Sequence, residues 1–265
     1  MSLLNTNGIV DLGKRWRIRL DKGMSAVQHG FQSLQAQVAR ETDIRLPMGA
    51  HRSFWSGVNE DSDLIQFLAR ALPDGGLFLD VGANIGLYSA GLWNLRGNMR
   101  GTAFEPIPST EALLRATFQL NGVPFSVERL AISDSRGSLK LSSYPDGLNN
   151  FWITDDDGKH PTTEVATISL DEWCGSDPQR IPAAIKIDVE GHELSVLRGA
   201  RRILRTHRPS MVMECHAGAW DRLGVSRHEL EAEINAIGYK RICDRAGRTA
   251  DFHGPRGTFH MLGLP

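Results

Sequence analysis

The sequence holds only three cysteines, Cys174, Cys215 and Cys243, far apart and odd in number. Neither a disulfide framework nor a C-x-x-C zinc site can be written from them, and they read as reduced, small apolar side chains. Charge of one sign is missing as well, since 30 Lys plus Arg stand against 31 Asp plus Glu, a net charge of -1. That balance argues against nucleic-acid binding by bulk electrostatics, which needs a basic surplus or stripe. No apolar run of about 18 residues occurs, so no membrane span is expected. The N-terminal residues also lack the charged-then-apolar order of a secretory signal. Nine histidines form no H-E-x-x-H or comparable cluster, and no metal is expected. What is present, 41% hydrophobic and 23% charged in 265 residues, is ordinary globular composition, and without a span or a signal the protein is expected to be soluble and cytoplasmic.

Residues 1–55 read as an N-terminal helical extension. Met24, Val27, Phe31, Leu34 and Val38 recur at alternating three and four spacing, which predicts one amphipathic helix. Its stripe packs on the protein's own body, or forms a homodimer seam, or caps a substrate cleft; spacing alone does not separate these. Residues 56–265 read as one domain, because short apolar runs alternate there with helical segments, as in a parallel sheet covered on both faces. The runs are Leu77 to Val81, Gly101 to Phe104, Phe125 to Ile132, Ala183 to Val189 and Ser210 to Cys215, with further strands near Tyr239 and from Gly257 to Leu262. Residues 137–170 interrupt the rhythm as an insertion or hairpin, with strand candidates Ser138 to Ser142 and Val165 to Ser169.

The most informative segment runs from Leu77 to Gly86. An apolar strand ends at Asp80 and passes through Gly82 and Gly86 into a helix, and the loop at such a strand's carboxyl end is where open α/β sheets place ligands. The spacing is D-x-G-x-x-x-G rather than the dinucleotide G-x-G-x-x-G, and a carboxylate at Asp80 would repel a pyrophosphate. Glu105 ends the second strand, 23 positions after Gly82, where an acidic side chain accepts hydrogen bonds from ribose hydroxyls. A ligand with a ribose and a cation but no phosphate is S-adenosylmethionine. The competing readings are a nicotinamide-dependent oxidoreductase and a non-catalytic binding protein of the same fold. The oxidoreductase is disfavoured because none of Tyr88, Tyr144 and Tyr239 begins a Tyr-x-x-x-Lys pair.

Four strings carry a resemblance: Asp80-Val-Gly-Ala-Asn-Ile-Gly86; Phe104-Glu105-Pro106; Ala131-Ile-Ser-Asp134 with Gly137; and Ile185-Lys-Ile-Asp-Val-Glu-Gly-His-Glu193 with Leu197-Arg-Gly-Ala200. In this order they resemble the FkbM family of class I S-adenosylmethionine-dependent methyltransferases, over roughly residues 60 to 242. The resemblance implies a Rossmann-like fold with a seven-stranded, mostly parallel sheet, its last strand antiparallel, and helices on both faces. It also implies O-methylation of a hydroxyl on a sugar or natural-product acceptor, a small molecule, with S-adenosylhomocysteine as the second product. Loop and resemblance together assign Glu60, Asp80, Gly82, Ala83, Asn84, Gly86, Glu105, Pro106, Ala131 and Asp188 to the cofactor.

Val189 to Glu193, after the strand ending at Asp188, is dense in ionisable groups. His192 is the expected proton acceptor on its ordinary pKa, with Asp188 and Glu190 beside it in catalysis. Asp188 and Glu190 pairing merely with Lys186 and Arg198 is the alternative. Glu214 and His216, at the end of the Met211 strand, are expected at the substrate, together with Asn149 in a loop similar to the family's Gly-x-Asn loop. Trp55, Tyr144, Phe151 and Trp152 stack on an acceptor ring or belong to the core.

Overall fold

The computed structural model describes residues 9–11, 16–19, 33–38, 42–47, 61–143, 151–153, 162–239, 241–253 and 258–265. Four N-terminal strands, β1 (Ile9–Asp11), β2 (Trp16–Arg19), β3 (Ser33–Val38) and β4 (Thr42–Pro47), form an antiparallel sheet in that order. This corrects the expected amphipathic helix. Leu34 and Val38 satisfy a helical period, but Leu34, Ala36 and Val38 also alternate with Gln35 and Gln37 at period two. Pairing decides it, since Leu34 lies opposite Leu46 and Ala36 opposite Ile44. Met24, Val27 and Phe31 fall outside the described residues. Ile44 and Leu46 are wholly buried in the main core, and the side chain of Asn121 grips both backbone groups of Arg45 at 2.7 and 2.8 Å.

The rest of the chain is the expected alternation. In order come α1 (Ser62–Ala71), β5 (Leu77–Val81), α2 (Leu87–Arg96), β6 (Arg100–Phe104), α3 (Pro108–Asn121), β7 (Ser126–Glu128) and β8 (Ala131–Ile132). Next are β9 (Gly137–Ser143), β10 (Phe151–Ile153), β11 (Thr162–Ile168), α4 (Leu170–Cys174), β12 (Ala184–Ile187), α5 (Glu193–Gly199) and α6 (Arg201–His207). The last are β13 (Ser210–His216), α7 (Ala217–Leu223), α8 (Arg227–Ile237), β14 (Arg241–Cys243) and β15 (Thr258–Leu264). Seven strands form the main sheet in the order β14-β15-β13-β12-β5-β6-β7. β7, β6, β5, β12 and β13 run parallel, and β15 enters antiparallel beside β13.

Every residue of β5 is buried, as a central strand demands. Alternation then sorts the strands into two cores. Leu79, Val81, Ile185, Ile187, Met211 and Met213 face α4 to α8, while Phe78, Ala184 and Val212 face β4 and α1 to α3. By the same parity Asp80, Lys186 and Glu214 fall on the second face. Lys186 lies directly opposite Asp80 in the register, and Glu214 opposite His260.

The expected third strand, Phe125 to Ile132, is split. Ser126–Glu128 forms the edge of the main sheet, while Ala131 and Ile132 leave it to pair with Thr167 and Ile168. They join β9, β10 and β11 in a second, four-stranded sheet. The 137–170 insertion is thus the expected antiparallel pair, built as one wall of the cleft below. Among the described residues no helix is long and apolar enough to cross a membrane.

Candidate active site

A cleft opens at the carboxyl ends of β5, β6 and β12. Gly82, Asn84, Glu105, Pro106, Ala131, Asp188, Glu190 and His192 line it, with Ile107, Leu130, Leu139 and Leu141 as an apolar strip. Gly82 sets its depth. With φ at +73°, it brings its Cα so close to the next strand that a Cβ there would lie 1.8 Å from the carbonyl oxygen of Asp188. Lys186 fastens the same contact, its Nζ donating to Gly82 O at 2.7 Å while pairing with Asp188 Oδ2 at 3.1 Å and Asp80 Oδ1 at 3.6 Å. Burial works against the charge on Lys186, but Asp188 and Asp80 outweigh it and raise the pKa.

The loop amides spend themselves inward. Gly82 N and Ala83 N both donate to Phe104 O, Asn84 N donates to Glu105 Oε2, and Gly86 N donates to Ala83 O. These four N–H groups are therefore not available to a diphosphate, which a dinucleotide loop would cradle with them. Glu105 is 6% exposed and takes Asn84 N and Ile107 N, each at 3.0 Å, one on each carboxylate oxygen. Each oxygen keeps a further acceptor site, so the pair suits the two hydroxyls of a ribose. Burial pushes the Glu105 pKa up to about 7, against the pull of the two amides.

Of the residues assigned to the cofactor, Gly82, Asn84, Glu105, Pro106, Ala131 and Asp188 line the cleft. Ala83 is core, 4% exposed, and Gly86 caps α2. Asp80 is not among the lining residues. It points with Phe78 to the inner face, takes the Ser89 hydroxyl on Oδ2 at 2.7 Å, and is 1% exposed. The strand-end acid assigned to the cofactor is instead the buried partner of Lys186. Glu60, Asn149, Trp55 and Tyr144, and the side chains of Phe151 and Trp152, lie outside what is described.

The ionisable groups divide into two sets. His192 turns to the wall, its Nε2 2.9 Å from Ser133 Oγ, and burial lowers its pKa. Ser133 is itself placed by Gly199, where a Cβ would sit 1.9 Å from Ser133 O; this is what the Leu-Arg-Gly-Ala string provides. The second set gathers around His216. Its Nδ1 is 2.8 Å from Glu193 Oε1, and Nε2 faces Glu190, Asp188 and Glu214. Burial disfavours its charge, but the Glu193 hydrogen bond and the carboxylates raise its pKa to about 10. Glu190 is lifted to about 7, chiefly by burial, and Glu214 to about 8 by burial and Asp188. Glu190 also holds φ at +52°, a left-handed conformation unusual outside glycine.

Glu190 therefore pairs with His216; Arg198 lies 3.6 Å from Glu229 instead. Glu193 is wholly buried and holds His216, Trp220 and Gly191 N. The apolar strip was missed, although Leu139 and Leu141 share a face of a predicted strand. His260 was missed too; it sits 3.7 Å from Glu214 Oε2 because β15 returns antiparallel beside β13.

A parallel sheet closed by one antiparallel strand, with a glycine loop after its first strand and a buried acid at the end of the second, is the architecture of a class I S-adenosylmethionine-dependent methyltransferase. The methyltransferase FkbM domain profile matches residues 80–241. The chain belongs to the FkbM methyltransferase family. It is 30% identical over 177 residues to the hexuronic acid methyltransferase AglP of Haloferax volcanii, covering 66% of this chain and 70% of that one. It is 28% identical over 157 residues to the 31-O-demethyl-FK506 methyltransferase FkbM of Streptomyces tacrolimicus, covering 48% and 60%. A crystal structure of an FkbM methyltransferase from Methylobacillus flagellatus aligns with a TM-score of 0.48 at 17% identity, over 79% of this chain and 60% of that one.

Proposed function

We propose that this methyltransferase transfers the methyl group to a hydroxyl oxygen of a sugar or polyhydroxylated natural product, with Glu190 receiving the hydroxyl proton. S-adenosylmethionine, when bound, supplies a methyl group on a cationic sulfur. Glu105 holds the ribose, and the strip of Ile107, Leu130, Leu139 and Leu141 covers an apolar ring. Asp188, Glu190 and Glu214 present hydrogen-bond acceptors to the incoming hydroxyls.

The observation that carries the reading is the position of Glu190. It lines the same cleft as Glu105, its side chain is 40% exposed, and its backbone holds a left-handed φ of +52°. As the acceptor oxygen forms its bond to the methyl carbon, the sulfur–carbon bond breaks with its electron pair left on sulfur, and the hydroxyl proton passes to the Glu190 carboxylate. Alignment of the two reactants supplies on the order of 7–11 kcal/mol, and proton removal a further ~10²–10⁴-fold. His192, expected as the base, faces Ser133 and is assigned to the wall. The two relatives, a hexuronic acid methyltransferase and a 31-O-demethyl-FK506 methyltransferase, support an oxygen acceptor.

Incubation with methyl-labelled S-adenosylmethionine and a panel of uronic acids, glycosides and hydroxylated macrocycles tests this. Label on an ether oxygen is expected. Label confined to nitrogen, carbon or a carboxylate oxygen, with none on a hydroxyl oxygen, defeats the reading.

A further inference from the structure

Asp188, just after β12, and Glu214 and His216 on β13 each bring one ligand atom to within 4.8 Å of the others. His216 is 9% exposed and is fixed from behind by Glu193, whose second oxygen takes the Trp220 indole N–H at 2.6 Å. Its other nitrogen, Nε2, has no hydrogen-bond partner among the described residues. It is aimed at carboxylates 3.8 Å away on Asp188, 3.8 Å on Glu214 and 3.5 Å on Glu190. Those separations exceed the N–H···O bond, which centres near about 2.9 Å. They match the spacing of ligands that share an ion: two atoms each about 2.1–2.2 Å from one cation, roughly 110–120° apart, are about 3.4–3.8 Å from each other. A histidine with its far nitrogen on a buried carboxylate is also the posture of a metal-ligating imidazole, turned and made more basic by that outer partner.

We propose that Asp188, Glu214 and His216 Nε2 bind one divalent cation at the acceptor end of the cleft. The mixed nitrogen and oxygen set suits Mn²⁺ or Zn²⁺ better than Ca²⁺, which takes oxygen alone. Lys186 does not fill the role, because its ammonium is committed to Gly82 O, Asp188 Oδ2 and Asp80. This trio departs from the expectation of no metal. The site stands on its own geometry. Its use, to hold an acceptor hydroxyl and ease loss of its proton to Glu190, rests on the methyl-transfer reading.

The test uses the full chain, stripped with a chelator and titrated with Mn²⁺ while the free-ion paramagnetic resonance signal is followed. S-adenosylhomocysteine binding is measured in parallel by calorimetry. One Mn²⁺ per chain is expected, with affinity reduced at least tenfold in Glu214→Gln and in His216→Ala, while both variants still bind S-adenosylhomocysteine. No ion bound by wild type, or an ion bound equally by both variants, overturns the site. If S-adenosylhomocysteine binds and Mn²⁺ does not, the metal proposal fails and the methyltransferase reading stands. If Mn²⁺ binds as expected and S-adenosylhomocysteine does not, the site stands and the reading fails.

Discussion

The ammonium of Lys186 donates a 2.7 Å hydrogen bond to the carbonyl oxygen of Gly82, and this bond ties the glycine loop to the strand that ends in the cleft's acids. Lys186 is 3% exposed and is the counter-charge for two carboxylates, Asp80 and Asp188. Removing one partner of a buried pair leaves an uncompensated charge, a loss of about 3–5 kcal/mol. Lys186→Met is expected to lose that much in urea unfolding, and a loss below about 1 kcal/mol would contradict the role.

Gly82→Ala sets a methyl group 1.8 Å from the Asp188 carbonyl, a backbone atom that cannot swing aside. The loop must then move off β12. Calorimetry should show S-adenosylhomocysteine affinity reduced at least tenfold, as misplacement of a close-packed loop by an ångström implies. Unchanged affinity would mean the close approach does not shape the cleft.

Much of this was readable in the chain. Leu77 to Val81 and Ala184 to Ile187 are short runs, apolar at four of five and three of four positions, as buried strands require, and the alternation after Gly137 marked the strands of the insertion. Leu34 and Val38 were ambiguous because they satisfy both periods, and only the partner strand Thr42–Pro47 breaks the tie. Asp80 was misread because register is not written in one strand; its placement opposite Lys186 needs both. Likewise Glu190, Glu193 and His216 meet only once β12 and β13 are neighbours, so a histidine adjacent in sequence, His192, drew the attention instead.

The folded state raises Glu105 from an ordinary 4.5 to about 7 through burial. A carboxyl raised in this way contributes stability that is fully present below pH 4.5 and is lost as pH rises through about 7. Glu105→Gln lacks the titration, though its amide leaves one loop N–H facing another donor and weakens the fold throughout. Denaturant unfolding between pH 5 and 8 should therefore fall more steeply for wild type than for Glu105→Gln, by on the order of 3 kcal/mol across the range. Parallel curves would remove Glu105 as the titrating group.

Glu190→Gln and His192→Ala should part company in steady-state kinetics. Loss of the proton acceptor should lower kcat by about 10²-fold with little change in donor KM, whereas His192→Ala, through Ser133 and the Ala131 wall, should act mainly on donor KM. The reverse split would return the proton to His192.

Calorimetric titration of the full chain with S-adenosylhomocysteine and, separately, with NAD probes the cleft between Glu105 and Asp188 most directly. One S-adenosylhomocysteine per chain, at least tenfold weaker binding in Glu105→Ala, and no heat from NAD are the predicted results. Tight NAD binding, or S-adenosylhomocysteine affinity indifferent to Glu105, would contradict the account.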